Sequence, residues 1–285
     1  MKIVKTIKVM KETVDELRAQ GKSIGFVPTM GYLHEGHLSL VREARKNNDI
    51  VVVSIYVNPA QFAPHEDLET YPRDFERDEN LCGREGTDYI FYPDDQKMYP
   101  ERYQTYIRVT EIEKKLCGIS RPIFFKGIAT VCTKLFNIVK PTHAYFGQKD
   151  YQQSLIIKQL VKDLNLDLNI VVCPIVREKD GLAMSSRNEY LSENERKEAV
   201  CLYKTWNLGK KMIEEGERNI EKIKKKMKEH IENYAFPKID YIEIYNAEDL
   251  SEFENNAIKE GCEIVIALAA MVGKTRLIDN VVFEI

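Results

Sequence analysis

The chain has 285 residues, 44% hydrophobic and 31% charged, with 42 Lys plus Arg against 45 Asp plus Glu and a formal charge of −3. That length and composition suit one large or two modest domains and exclude a disordered chain, while the near balance of charge, with a pI near 6.1, argues against affinity built on neutralising nucleic-acid phosphates. The longest apolar run, 264–272, is about half of the roughly 18 residues that suggest a membrane span, and the opening Lys2, Lys5 and Lys8 break up any secretory apolar core, so a cytoplasmic protein is expected.

In chain order, the first two-thirds repeat one unit: a short β-branched run, a loop with Gly or Pro, then a helical pattern. Expected strands are 23–29, 49–57, 88–92, 144–147 and 169–176, and expected helices between them are 13–20, 38–46, 75–84, 129–139 and 152–164. Runs such as Ile50-Val51-Val52-Val53 are almost continuously apolar, as strands covered on both faces should be. The pattern predicts an α/β fold, a Rossmann-like doubly wound parallel sheet. After 176 a polar loop, 177–188, leads to Ser192-Glu193-Asn194-Glu195, a capping box that predicts one long helix. Residues 219–234 place Ile220, Ile223, Met227, Ile231 and Tyr234 on one face, an amphipathic helix. Its lysines offer a binding stripe, but the interleaved Glu221 and Glu229 favour a solvated face. Strands are expected at 239–245, 263–270 and 275–284, the last two joined by Gly273-Lys274. The division reads as a nucleotide-binding domain over 1–176 and a smaller α+β domain over 177–285 that acts as a lid.

The six cysteines stand at least fifteen residues apart, too far for a zinc or redox pair in sequence. Reduced, buried thiols are the expectation, with a catalytic thiol as the lesser alternative.

Four segments carry candidate chemistry. In Pro28-Thr29-Met30-Gly31-Tyr32-Leu33-His34-Glu35-Gly36-His37 a strand ends and a helix begins, so free N–H groups and a positive dipole end favour an anion. Phosphate binding is the leading reading; a metal fits less well, because a zinc helix wants its histidines at i and i+4, and a structural turn stays open. Residues 177–188, with Met184-Ser185-Ser186-Arg187-Asn188, put hydroxyls beside an arginine, suited to a phosphate or to a plain linker turn. Gly147-Gln148-Lys149-Asp150 and Asn58-Pro59-Ala60-Gln61 both follow strands, where open α/β sheets bind ligands.

In order and spacing these segments, with Tyr71-Pro72-Arg73 and Gln152-Gln153, resemble the pantothenate synthetases (pantoate–β-alanine ligases). Residues 28–37 look like that family's variant of the HIGH signature of class I nucleotidyltransferases, and 184–188 look like its KMSKS counterpart. The resemblance implies condensation of (R)-pantoate with β-alanine, driven by ATP through a pantoyl adenylate, giving pantothenate, AMP and pyrophosphate. It implies that Met30, Gly31, Tyr32, Leu33, His34, Glu35, Gly36, His37, Gly147, Gln148, Lys149, Asp150, Val176, Met184, Ser185, Ser186 and Arg187 contact ATP. Gln61 and Gln153 would hold pantoate, with Gln61 also near β-alanine. His37 would be the proton donor, His34 would support the phosphates, Lys149 would neutralise their charge, and Asp78 would touch Mg²⁺. A homodimer is implied, with no nucleic-acid or membrane partner.

Three positions depart from the family pattern: Phe124 stands in place of a histidine, Gln148 of a glutamate, and Cys117 of a frequent glutamate. Other readings compatible with the motifs are a different adenylate former, such as a tRNA synthetase relative, and a nucleotide-binding regulator without turnover. The pair Gln61 and Gln153 distinguishes the first, since an amino-acid substrate calls for an acidic partner.

Overall fold

In the computed structural model, which describes residues 1–64 and 66–285, six strands pair in parallel. They are β1 (Lys2–Val4), β2 (Ile24–Thr29), β3 (Ile50–Ile55), β4 (Tyr89–Phe91), β5 (His143–Gly147) and β6 (Asn169–Cys173), in the order β1-β4-β3-β2-β5-β6. Five stand where the apolar runs predict them. No run predicts β1, because it is a three-residue edge strand with only Val4 buried, too short to show a period. β6 stops at Cys173, short of the predicted 176.

Helices α1 (Ile7–Ala19), α2 (Glu35–Asn47), α3 (Phe75–Arg84), α4 (Asp95–Met98), α5 (Cys117–Ser120), α6 (Phe124–Val139) and α7 (Tyr151–Asp163) connect these strands. α1 begins well before the predicted 13 because Thr6 caps it, its hydroxyl accepting the Val9 N–H at 3.3 Å. The period-two alternation of the strands sorts the core into two layers. Val27, Val51, Val53 and Ile55 pack with Leu38, Val41 and Ala44 of α2. Phe26, Val52, Ala144 and Phe146 pack on the other face with α1, α6 and α7 through Met10, Leu135 and Ile156. The sheet is doubly wound, as its continuous apolar runs require.

The remaining strands, β7 (Pro237–Asn246), β8 (Glu263–Val272) and β9 (Thr275–Glu284), form a separate antiparallel sheet. β8 and β9 meet at Val272 and Thr275, and Gly273 turns the hairpin with φ +59°. β8 explains the 264–272 run: Ile264, Ile266, Leu268 and Ala270 pack under the helices of this half, while Val265 and Ala267 press on Leu116 and Leu155 of the first half. It is a central strand buried on both faces, and no helix among the described residues is long and apolar enough to cross a membrane.

The capping box forms, with the Ser192 hydroxyl accepting the Glu195 N–H and Glu195 accepting the Ser192 N–H at 2.8 Å. The single long helix expected after it is instead two, α8 (Glu193–Ala199) and α9 (Cys201–Glu214), because the Val200 N–H turns back to Glu198 O and interrupts the ladder. The amphipathic stretch forms α10 (Ile220–Ile231), capped by Asn219.

One polar knot fixes the start of the second half, just beyond the junction at 176. Arg177 donates to both oxygens of Asp279 at 2.7 and 2.8 Å, and Trp206 Nε1 donates to the same carboxylate at 3.1 Å. Asp279 is 3% exposed, so removing it strands a cation and an indole N–H in the interior. Asp279→Ala is therefore expected to cost about 3–5 kcal/mol in urea unfolding; a loss below about 1 kcal/mol would show that the knot is dispensable.

Candidate active site

Strand order reverses beside β2: the chain leaves β2 for β3 on one side and later returns to β5 on the other. Their carboxyl ends, at Thr29 and Gly147, therefore flank a crevice that no crossover fills. A cavity of about 210 Å³ lies there and shares Phe124, Lys149, Asp150, Ser185 and Arg187 with an adjoining cleft of about 780 Å³.

The first wall is the loop from β2 into α2. Gly31 at φ +85° and Tyr32 at φ +49° turn the chain, and Asp78 on α3 braces the turn by accepting the N–H groups of Tyr32 and Leu33, each at 2.7 Å. α2 is then capped by its two histidines. His34 Nδ1 accepts the Gly36 N–H at 3.1 Å, and His37 Nδ1 accepts the His34 N–H at 3.3 Å. Gly36 is required here, since a Cβ would sit 2.9 Å from the His34 ring.

This arrangement fixes the protonation of both rings. Burial, then the Lys149 charge, lowers the His34 pKa to about 4; burial, then His34 and Lys149, holds His37 well below its ordinary value. Both rings are neutral at pH 7, and with Nδ1 accepting, each carries its proton on Nε2. The rings lie 4.1 Å apart and line the cavity. They can offer neutral hydrogen-bond donors, compatible with the positive end of α2 beneath them.

The second wall is the turn after β5, where Lys149 lies 3.5 Å from Asp150 with a side chain 22% exposed. The floor comes from the Pro59–Gln61 turn. Asn58 accepts the Tyr99 hydroxyl at 2.8 Å and donates to Gln61 Oε1 at 3.0 Å, which aims the Gln61 amide N–H at Met30 Sδ, 3.1 Å away. A thioether is a weak acceptor, so that N–H is free to serve a ligand oxygen. α6 approaches this turn so closely that a Cβ on Gly127 would lie 2.3 Å from Ala60 O.

The roof is the polar loop. Residues 177–183 form a tight hairpin turned by Gly181 at φ +100°, and Met184 N–H donates to Val176 O at 3.0 Å. The next turn rests on the first half: Ser186 Oγ donates to Tyr32 O at 3.2 Å, and Arg187 reaches Asp67 through two bonds of 3.0 Å.

Of the residues named from sequence, Met30, His34, Gly36, His37, Gln61, Gly147, Lys149, Asp150, Gln153, Val176, Met184, Ser185, Ser186 and Arg187 line one cavity. Others named as ATP contacts do not. Leu33 is fully buried in the core layer under α2, exposed Glu35 pairs with Arg42, and Gly31 and Tyr32 open on a different cavity beside Asp78. Gln148 turns away toward Asn280. Asp78, named for Mg²⁺, is 1% exposed with both oxygens on backbone N–H groups, which makes it a loop brace. Arg187, named for phosphate, has its fork taken by Asp67, so an incoming phosphate must displace that carboxylate.

Sequence reasoning places Asn58 at a strand end without giving it this bridging role, and it misses Asp67 and Asn280. The turn pattern Asn58-Pro59 is a readable cue for the first; for the others the partners lie 120 and 132 residues away, beyond any local signal. Phe124 stacks under the Arg121 guanidinium at 3.7 Å, while that guanidinium also binds Glu66. Cys117 is buried, its N–H held by Gln152 Oε1 at 3.0 Å.

Because the folded His34 pKa lies below the unfolded one, its share of stability is intact above pH 6.5 and is lost as pH falls toward 4. Ring-nitrogen NMR should find His34 neutral at pH 7, protonated on Nε2 and titrating near 4; a midpoint close to 6.5 would contradict the burial argument. Gly127→Ala should push the Gln61 turn outward and cost about 1–3 kcal/mol in urea unfolding. Parent-like unfolding of the variant would show that the turn can give way to a methyl group.

Comparison with known proteins agrees with this geometry. The family model for pantoate-beta-alanine ligase matches residues 2–282. The pantothenate synthetase of Caldicellulosiruptor bescii is 58% identical over 284 residues, covering 100% of this chain and 99% of its own. The crystal structure of pantothenate synthetase from Thermus thermophilus superposes with a TM-score of 0.91 at 39% identity, covering 99% of both chains. That of the Francisella tularensis pantoate-beta-alanine ligase, complexed with beta-gamma ATP and beta-alanine, gives 0.79 at 37%, covering 99% of this chain and 97% of that one. A match spanning nearly the whole chain, by sequence and by fold, means that this chain belongs to the pantoate–β-alanine ligase family, the ligases that form pantothenate.

Proposed function

We propose that the cavity at the β2–β5 crevice binds ATP and pantoate together and that the lining residues named above carry the two-step ligation. A pantoate carboxylate oxygen attacks the α-phosphorus of ATP, and pyrophosphate leaves. The β-alanine amine then attacks the acyl carbon, AMP leaves, and the amine gives up a proton. The carboxylate is already ionised at pH 7, so the first step needs no strong base and rests on positioning and on stabilising charge at phosphorus.

The observation that carries the reading is the convergence on one crevice of two neutral Nε2–H donors, the Lys149 ammonium and the Gln61 amide. His34 and His37 donate to phosphate oxygens as charge builds there, and Lys149 supplies positive charge toward the departing pyrophosphate. Gln61 and Gln153 hold pantoate through its carboxylate and hydroxyls. The 177–188 segment, with the domain 177–285 behind it, closes over the nucleotide and keeps water from the adenylate. Arg187 joins the phosphates when it exchanges Asp67 for them.

Mg²⁺ accompanies ATP on its phosphates. Among the described residues no group of three or more His, Cys, Asp or Glu is arranged to hold a metal, and both Asp78 oxygens are engaged, so we assign Mg²⁺ no protein ligand and route no step through it. Free cysteines throughout, five of them buried, suit a reducing cytoplasm, and a homodimer is the assembly that the resemblance implies.

The test is pyrophosphate release from ATP with Mg²⁺, first with pantoate alone and then with β-alanine added. Release that depends on pantoate, with AMP and pantothenate appearing only when β-alanine is present, is expected. His37→Ala should lower the pantoate-dependent rate by roughly 10²–10³-fold, about 3–4 kcal/mol, with folding retained. A folded His37→Ala protein that releases pyrophosphate at the parent rate would take that ring out of the chemistry.

A further inference from the structure

The turn that carries Lys149 has no cap of its own. Neither the 3₁₀ turn Gln148–Asp150 nor the start of α7 after it has a side-chain cap hydrogen bond. Its carbonyls are held instead by Asn280 of β9, whose Nδ2 donates to Gln148 O at 3.0 Å and to Lys149 O at 2.9 Å. Asn280 Oδ1 accepts in return from Gln148 Nε2 at 3.4 Å. Asn280 is 3% exposed, and its own N–H donates to Asp279 Oδ1 at 2.8 Å, the carboxylate already fixed by Arg177 and Trp206.

We propose that Asn280 is a positioning residue for the adenylation step: from the small sheet it holds the Gln148–Lys149 turn so that the Lys149 ammonium points into the cavity. The proposal rests on the assignment of Lys149 to the phosphates of ATP. It also gives Gln148 a purpose. A glutamate at 148 has no N–H to donate to Asn280 Oδ1 and places a carboxylate against that oxygen, whereas the glutamine amide completes the clasp.

The experiment is a double-mutant cycle on pantoate-dependent pyrophosphate release with Asn280→Ala, Lys149→Ala and the double variant, alongside thermal unfolding. Asn280→Ala alone should lower kcat/KM for ATP by about 10-fold to 100-fold, the scale of a misplaced catalytic group, and Asn280→Ala in the Lys149→Ala background should lower it no further. A purely structural Asn280 changes the melting temperature and acts equally in both backgrounds, and that result overturns the proposal. Parent-like activity of Lys149→Ala overturns the Lys149 assignment and the proposal with it; a large Lys149→Ala effect beside a parent-like Asn280→Ala overturns the proposal alone. If Asn280→Ala does not fold, Asn280→Ser, which keeps one hydroxyl donor, takes its place in the cycle.

Discussion

A parallel sheet that winds outward in both directions from the β2–β5 pair leaves one place where two strand ends face open space, and the candidate histidines, lysine and glutamines line the cavity there. The loop after β2 brings the capping histidines and the turn after β5 brings Lys149, while the segment after β6 folds over both. The crevice follows from connectivity. What the residues add is its lining.

The electrostatics of that lining follow from one local need, the capping of α2. Backbone N–H groups at a helix start seek acceptors, and His34 and His37 supply them through Nδ1. That choice of tautomer, with burial and the nearby ammonium of Lys149, keeps both rings uncharged. Neutral donors beside Lys149, with the Arg187 charge paired to Asp67, give the cavity less fixed charge than protonated rings would. Asp67 on Arg187 acts in the same sense, offsetting that guanidinium's charge at the edge of the cavity.

The small sheet is more than a cover. β8 is buried on both faces because it supports its own helices on one side and the first half on the other. β9 carries the adjacent pair Asp279 and Asn280, one closing the polar knot with Arg177 and Trp206, the next gripping the Lys149 turn. A rigid strand places two neighbours with opposite orientations, so one element can serve the polar knot of its own half and the Lys149 turn of the other together.

Local pattern determined much of this protein. The apolar runs that became β2 to β6, the capping box at Ser192, the amphipathic face of α10 and the hairpin at Gly273 are set by periods and turn chemistry that span a few residues. The ordered motifs around His34, Gln61, Lys149 and Ser185 were legible as one family's set for the same reason, being short, contiguous and placed at strand ends. Tertiary structure alone decided the rest. It added β1, whose pairing with β4 is unreadable from three residues; it sent Leu33, Glu35 and Gln148 away from the cavity, and it made Asp78 a brace. It joined Arg187 to Asp67 and Asn280 to Lys149. Those outcomes depend on hydrogen bonds between residues far apart in sequence, and periodicity carries no information about which buried carboxylate or amide a distant N–H will find.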